Sequence, residues 1–235
     1  MKKYELTNEF ITVESGVKLF RIKALRDFGS VRAGDIGGWI EKEANLDQSG
    51  NAWVSGNASV TGNANVTGSA QVSGNALVCG KADVTGNAKV CGNAWVSGNA
   101  QVTENAEVCG KANVCGSAGV AGNAQVYGNA RVAGNAKVCG KAQVYGNAQA
   151  AGNAKVCGKA QVYGKAELTE NAKVCGKAQV YGKAELTENA KVCGNARVYG
   201  NARVRGNAEK CRGLMRTLLR RIGQALNKSR RNTRQ

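Results

Sequence analysis

The side chains able to do chemistry in this sequence are nine Cys, six Tyr, 33 Lys or Arg and 16 Asp or Glu, with no His at all. Without an imidazole there is no Ser-His-Asp triad, no Cys-His pair and no three-His zinc site, so any general acid or base must be a carboxylate, Lys, Tyr or Cys. A Cys-based metal site would need ligands converging in a C-x-x-C type arrangement, and the sequence contains no C-x-x-C. No metal site and no cofactor are expected. Spacing says more than residue type. Cys139, Cys157, Cys175, Cys193 and Cys211 recur every 18 residues, as do Tyr127, Tyr145, Tyr163, Tyr181 and Tyr199. Identical residues at a fixed interval define rows rather than one site with convergent partners, so no catalytic residue is assigned.

The elements that position these rows follow from a shorter repeat. From Gly50 to Cys211 the chain divides without a gap into 27 six-residue units of the form Gly-Asn-Ala-x-Val-x. Ala and Val are two apart, as inward-facing residues of a strand are, while the x positions point outward and Gly-Asn supplies a corner. Turning within two residues requires a positive φ, which Gly and Asn tolerate best. Every unit keeps one of the two: Gly remains at Lys81, Lys141 and Ser69, and Asn remains where Glu104, Glu170 and Glu188 replace Gly. The larger core position is Val except at Leu168, Leu186, Ala150 and Lys210. A charge on the core stripe at Lys210 is expected to end the repeat. Aromatics make up 5% of the chain, too few for a conventional core of this size, so repetition orders it instead.

The 18-residue block KVCGKAQVYGKAELTENA occurs twice in succession, so three units make one turn. The expected fold is all-β, a single-stranded parallel β-helix of about nine triangular 18-residue coils, stacked about 4.8 Å apart. Val54, Asn57 and Ala58 match the spacing of the hexapeptide-repeat family, which the sequence resembles: an aliphatic residue, a small residue four positions later, and a left-handed Asn between them. That resemblance implies a left-handed β-helix. The same solenoid serves acyltransferases, carbonic anhydrases, antifreeze proteins and scaffolds, so fold alone does not give function.

Stacking every eighteenth residue yields three unlike faces. Gln125, Gln143, Gln161 and Gln179 lie beside the Tyr row, a flat surface with rigid contact area and a polar edge suited to docking. The bland reading is that duplication of the 18-mer copied residues that ladder favourably. Lys137, Lys155, Lys173 and Lys191 lie beside the Cys row. They repel one another at about 5 Å spacing, a cost limited by screening and offset by Glu170 and Glu188 at the adjoining corners. This stripe is either a phosphate-binding surface or a solvated charged face. Strained geometry between parallel Cβ vectors argues for reduced thiols along the Cys row. The third face is mixed, with Glu167, Thr169, Glu185 and Thr187. An ice-binding face would need an unbroken Thr row, but Thr67, Thr85 and Thr103 stop at Ala121.

Three segments result: residues 1–49, 50–211 and 212–235. The first carries eight basic and eight acidic side chains and reads as a β cap, with one β-hairpin formed by residues 10 to 14, a Ser15-Gly16 turn and an alternating run from Val17 to Leu25. Its ALRDFGSVRAGDIGGWIEKEANL stretch, including Arg26, Asp27, Phe28, Gly34, Asp35, Gly37, Gly38 and Trp39, resembles the amino-terminal part of YdcK-like hexapeptide-repeat proteins of bacteria and their phages. Members of that group are described as acyltransferases by fold analogy. Related acyltransferases use a His base and a loop extruded from a coil, and this chain has neither a His nor an insertion among its 27 units.

Residues 210–235 hold nine Lys or Arg and no acid. Leu214, Met215, Leu218, Leu219, Ile222, Ala225 and Leu226 fall on one helical stripe flanked by Arg216, Arg220 and Arg221, with Arg230 and Arg231 beyond. A basic amphipathic helix is therefore expected, either a lid on the solenoid or an arm for nucleic acid or an anionic membrane surface. No stretch is long and apolar enough for a signal peptide or a membrane span, so a cytoplasmic protein with thiol cysteines is expected. The reading these features favour is a non-catalytic scaffold binding an acidic macromolecule, nucleic acid among the candidates. Its rival is a trimeric acyl-CoA-dependent acyltransferase.

Overall fold

The computed structural model describes residues 2–215. Three strands open the chain: β1 (Tyr4–Thr12), β2 (Lys18–Ala24) and β3 (Ile36–Ile40), antiparallel in that order. The Ser15-Gly16 turn forms as expected, with Gly16 at φ 79° and its amide donating to Val13 O at 2.8 Å. The first strand starts at Tyr4, well before the expected Phe10, because Tyr4, Glu5 and Leu6 also find partners in Ala24, Lys23 and Ile22.

From β4 (Trp53–Val54) to β31 (Leu214–Met215) the chain forms 28 two-residue strands, arranged in three parallel sheets. Each unit donates to the coil that follows it in sequence: Trp53 N to Ala70 O at 2.9 Å, Ser55 N to Val72 O at 2.9 Å, Asn57 N to Gly74 O at 2.8 Å. The architecture is a parallel β-solenoid of about ten turns, one more than the repeat count implies, since the 10-stranded sheet runs from β4 to β31. Stacking also begins earlier than Gly50. β3 pairs in parallel with Ser59–Val60 through Trp39 and Ile40, and Leu46 bridges Val66. One sheet therefore passes from antiparallel to parallel pairing without a break, which covers the solenoid edge with its own strand.

Inside, Ala and Val form continuous buried columns. In one column Val132, Ala150, Leu168, Leu186 and Val204 face one another in successive coils. The small Ala150 beside Leu168 offsets the larger side chain, keeping the core filled without strain.

The corner works differently from the expectation. Among the described residues the positive φ falls on the first position of the unit, never on the Asn: where Gly is lost, Glu104, Glu170 and Glu188 themselves adopt φ 61°, 56° and 60°. Gly86 illustrates why Gly dominates, for a Cβ there would lie 2.9 Å from the Glu104 backbone nitrogen. The Asn contributes through its side chain instead. Asn135, Asn153, Asn171, Asn189 and Asn207 form a ladder in which each Nδ2 donates to the next Oδ1 at 3.1–3.2 Å.

Lys210 does not end the pairing. It sits opposite Val192, and Leu214–Met215 then adds one further strand against Arg197–Val198. Leu214 and Met215 are thus a strand rather than the start of a helix, because the preceding coil offers backbone partners such as the Arg197 amide, which donates to Gly213 O at 3.0 Å. The remainder of the expected helix, with Arg216, Arg220, Arg221, Arg230 and Arg231, lies outside the described residues.

Candidate functional site

The solenoid turns the sequence intervals into rows. Gln125, Gln143, Gln161 and Gln179 stand in register on one sheet. Each Nε2 donates to the Oε1 of the Gln before it at 2.8–2.9 Å, and Gln125 donates to Glu107 Oε2 at 3.0 Å. Two residues on, the rings of Tyr127, Tyr145, Tyr163 and Tyr181 stack 4.8–4.9 Å apart and within 3° of parallel, and Tyr199 continues the stack at 5.2 Å. Burial raises the pKa of Tyr127, Tyr145 and Tyr163, so these phenols are neutral donors at physiological pH. Because each interior ring covers the faces of its neighbours, only edges and hydroxyls remain for a partner. Between the stacked rings, intercalation of nucleic-acid bases has no free ring face. A recess of about 290 Å³ lined by Glu107, Cys109, Gln125, Val126 and Tyr127 marks the start of this face.

On a second sheet Lys137, Lys155, Lys173 and Lys191 stand in register. Among the described residues, Lys191 is the one of the four with an ion pair, to Glu209 Oε1 at 2.7 Å, which raises its pKa. The expected relief from Glu170 and Glu188 does not take the form of ion pairs with this row among the described residues. A second cationic row escaped the sequence reading. Lys141, Lys159 and Lys177 occupy the corner just past the Cys row, their amides donating to Gly158 O, Gly176 O and Gly194 O at 2.7 Å. The signal was present as K-V-C-G-K, repeated at 137–141, 155–159 and 173–177. Cys139, Cys157 and Cys175 thus lie between two Lys rows.

The cysteines divide into two states. Cys79, Cys115, Cys139, Cys157 and Cys175 are free, whereas Cys91 is joined to Cys109 and Cys193 to Cys211. The expectation of thiols throughout fails at these pairs, whose Cα atoms lie 4.6 and 4.5 Å apart, within disulfide range; the same stacking leaves Cys139, Cys157 and Cys175 as thiols, so coil spacing permits the bond without deciding it. Stacking also gathers Cys193, Glu209 and Cys211, whose ligand-capable atoms lie within 4.8 Å of one another. A C-x-x-C search misses such a cluster, since its members come from successive coils. With Cys193 bonded to Cys211 and Glu209 paired to Lys191, it offers no open ligand set in this state.

GDIGG is structural. Gly37 and Gly38 lie where the cap meets the first coils, and a Cβ on Gly38 would lie 2.6 Å from Ala58 O and 2.8 Å from Val54 Cγ1. Arg21 braces the same junction, stacking over Trp39 at 4.1 Å and donating to Gly37 O and Gly56 O at 3.2 and 3.0 Å. Beside it, the buried Lys3 donates through Nζ to Ser49 O and Ala52 O at 3.2 and 2.9 Å, while burial lowers its pKa to about 8.

The molecule is a parallel β-solenoid with laddered faces. Its repeats are YdcK-like: the family model described as YdcK β-solenoid repeat matches residues 124–140 and 190–206. A protein of Escherichia coli (strain K12) named "Uncharacterized acetyltransferase YdcK" is 44% identical over 61 residues. That match covers 23% of this chain and 19% of the relative, so the chain spans about a fifth of the length of the curated relative it matches. No helix among the described residues is long and apolar enough to cross a membrane.

Proposed function

We propose that the chain is a non-catalytic β-solenoid scaffold that binds an acidic macromolecule along its paired Lys rows. The observation that carries this reading is the placement of Lys137, Lys155 and Lys173 beside Lys141, Lys159 and Lys177, all of them exposed, on a chain of net charge +17. A rigid array of cations attracts polyanions at long range and releases their counterions on contact. Arg216, Arg220, Arg221, Arg230 and Arg231 add to the same attraction. The Tyr127 to Tyr199 row and its Gln neighbours form a separate polar edge for a protein partner. The test is fluorescence anisotropy with labelled DNA and RNA at low and physiological salt, comparing the full chain with Lys155→Gln/Lys173→Gln and Arg220→Gln/Arg221→Gln variants. Binding should weaken steeply with salt and in both variants. No binding at either salt would sink the reading for nucleic acid.

A second reading rests on the printed name of the E. coli relative, an acetyltransferase. In this reading the left-handed coils implied by the hexapeptide-repeat resemblance assemble as a homotrimer and take acyl-CoA between prisms. The lack of His requires a base of another type, with Tyr, Cys and Glu available. Release of CoA from acetyl-CoA by the purified chain separates the two readings.

A further inference from the structure

The free thiols at Cys139, Cys157 and Cys175 stand in three successive coils. Their backbones are locked one coil apart by the Cys139 amide on Val156 O and the Cys157 amide on Val174 O, both at 2.9 Å. The Tyr row, at the equivalent position of its own units, measures the coil repeat at side-chain level as 4.8–4.9 Å. Burial, and then the neighbouring Cys139 and Cys175, raise the pKa of the Cys157 thiol. Two thiolates on opposite sides of one metal ion, each with a bond of about 2.3 Å, lie about 4.6 Å apart. The stack therefore allows the span of a linear bis-thiolate complex, the geometry of soft monovalent d10 ions, at stacked thiols that are not joined as Cys91 and Cys109 are.

We propose that Cys139, Cys157 and Cys175 form a binding site for a soft monovalent cation, Cu(I) or Ag(I), with one ion in each gap and Cys157 bridging the two. Two M⁺ and three thiols give an M₂(SR)₃ unit of charge −1, and three protons leave to solvent without any change of oxidation state. Neutral thiols must lose protons on binding. Burial holds the Cys157 thiol above its ordinary range, so uptake falls as pH is lowered. The groups facing the row are cationic on both sides, Lys137, Lys155 and Lys173 on the sheet and Lys141, Lys159 and Lys177 at the corner, with Lys173 itself favouring the Cys157 thiolate. They offset the negative charge of the complex. Cys79 and Cys115 are free as well, but Ser97 occupies the coil between them, so they present no such gap.

The test titrates the full chain anaerobically, without reductant, with Cu(I) in competition with a chromophoric Cu(I) chelator. X-ray absorption of the loaded protein then reports the ligands. Two ions should be retained, each with two sulfur neighbours. Cys157→Ser should lose both, because Cys139 and Cys175 are then two coils apart, while Cys139→Ser should keep one. Cys79→Ser and Cys115→Ser should keep two. Ser55, Ser73 and Ser97 already occupy equivalent positions, so the Ser variants fold, as circular dichroism would verify. Failure to hold Cu(I) against the chelator would overturn the proposal. So would uptake that falls equally for Cys79→Ser and Cys157→Ser, which would mean independent surface thiols.

Discussion

The cap and the coils hold together by opposite strategies. In the coils most units make the same contacts as their neighbours: three amides donated onward, an Ala and a Val buried, a corner at positive φ. In the cap each contact occurs once. Tyr4 places its hydroxyl 2.7 Å from Leu46 O and 2.9 Å from Glu43 O, Asn45 donates through Nδ2 to Gly62 O and Ala64 O at 3.1 and 2.8 Å, and Lys3 ties down Ser49 and Ala52. A repeated contact is a nearest-neighbour term that its neighbours duplicate, whereas a unique contact has no understudy. Repetition makes the coils tolerant at outward positions and uniform inside, while the cap depends on particular residues.

The contrast is sharpest where the coils break their own rule. Leu168→Ala removes the side chain that Ala150 makes room for, leaving two successive coils with Ala in the larger core position. The expected cost is about 2–5 kcal/mol, read from thermal or denaturant unfolding. A smaller loss would mean that the stack relaxes along its axis. At the junction, Gly38→Ala should cost about 1–3 kcal/mol through overpacking. Hydrogen exchange should quicken in β1 and β2 before it does in the central coils, and uniform quickening would show that cap and coils unfold as one unit.

Lys3→Met should cost about 1–3 kcal/mol by leaving the buried Ala52 carbonyl and the part-buried Ser49 carbonyl without their donor. The same residue predicts a pH dependence. Its folded pKa of about 8 lies below the ordinary 10.5, so between those values the unfolded chain binds the proton more strongly. Stability should rise as pH increases from about 8 to 10.5 and lose no more of this contribution below about 8. Lys3→Met should abolish that slope, and a slope unchanged in the variant would assign it to another group. The smallest effect has the opposite sign. Glu170→Gly relieves a positive φ and should stabilise by about 0.5–1 kcal/mol, as a shift in unfolding midpoint.

The repeat was legible because period-six alternation of Ala and Val has one economical reading, and its period of 18 fixes which residues share a face. Tyr127 to Tyr199 and Lys137 to Lys191 fall in rows as that reading requires. The cap was less legible. Leu6 and Phe10 bracket a register irregularity, and Lys3 looks like any basic residue near an amino terminus until three segments converge on it. The corner misled, since Gly and Asn both tolerate positive φ and only the backbone shows which one uses it.

By itself the sequence determined the solenoid, its three unlike faces and the absence of imidazole chemistry, because these depend on residue type and interval alone. Only the tertiary structure decided which cysteines join, that β3 carries the cap into the stack, and that Cys139, Cys157 and Cys175 lie between two lysine rows. The last two follow from backbone hydrogen bonding that stacks segments 18 residues apart and sets side chains one β spacing from each other, while the first goes beyond spacing, since joined and free cysteines share it.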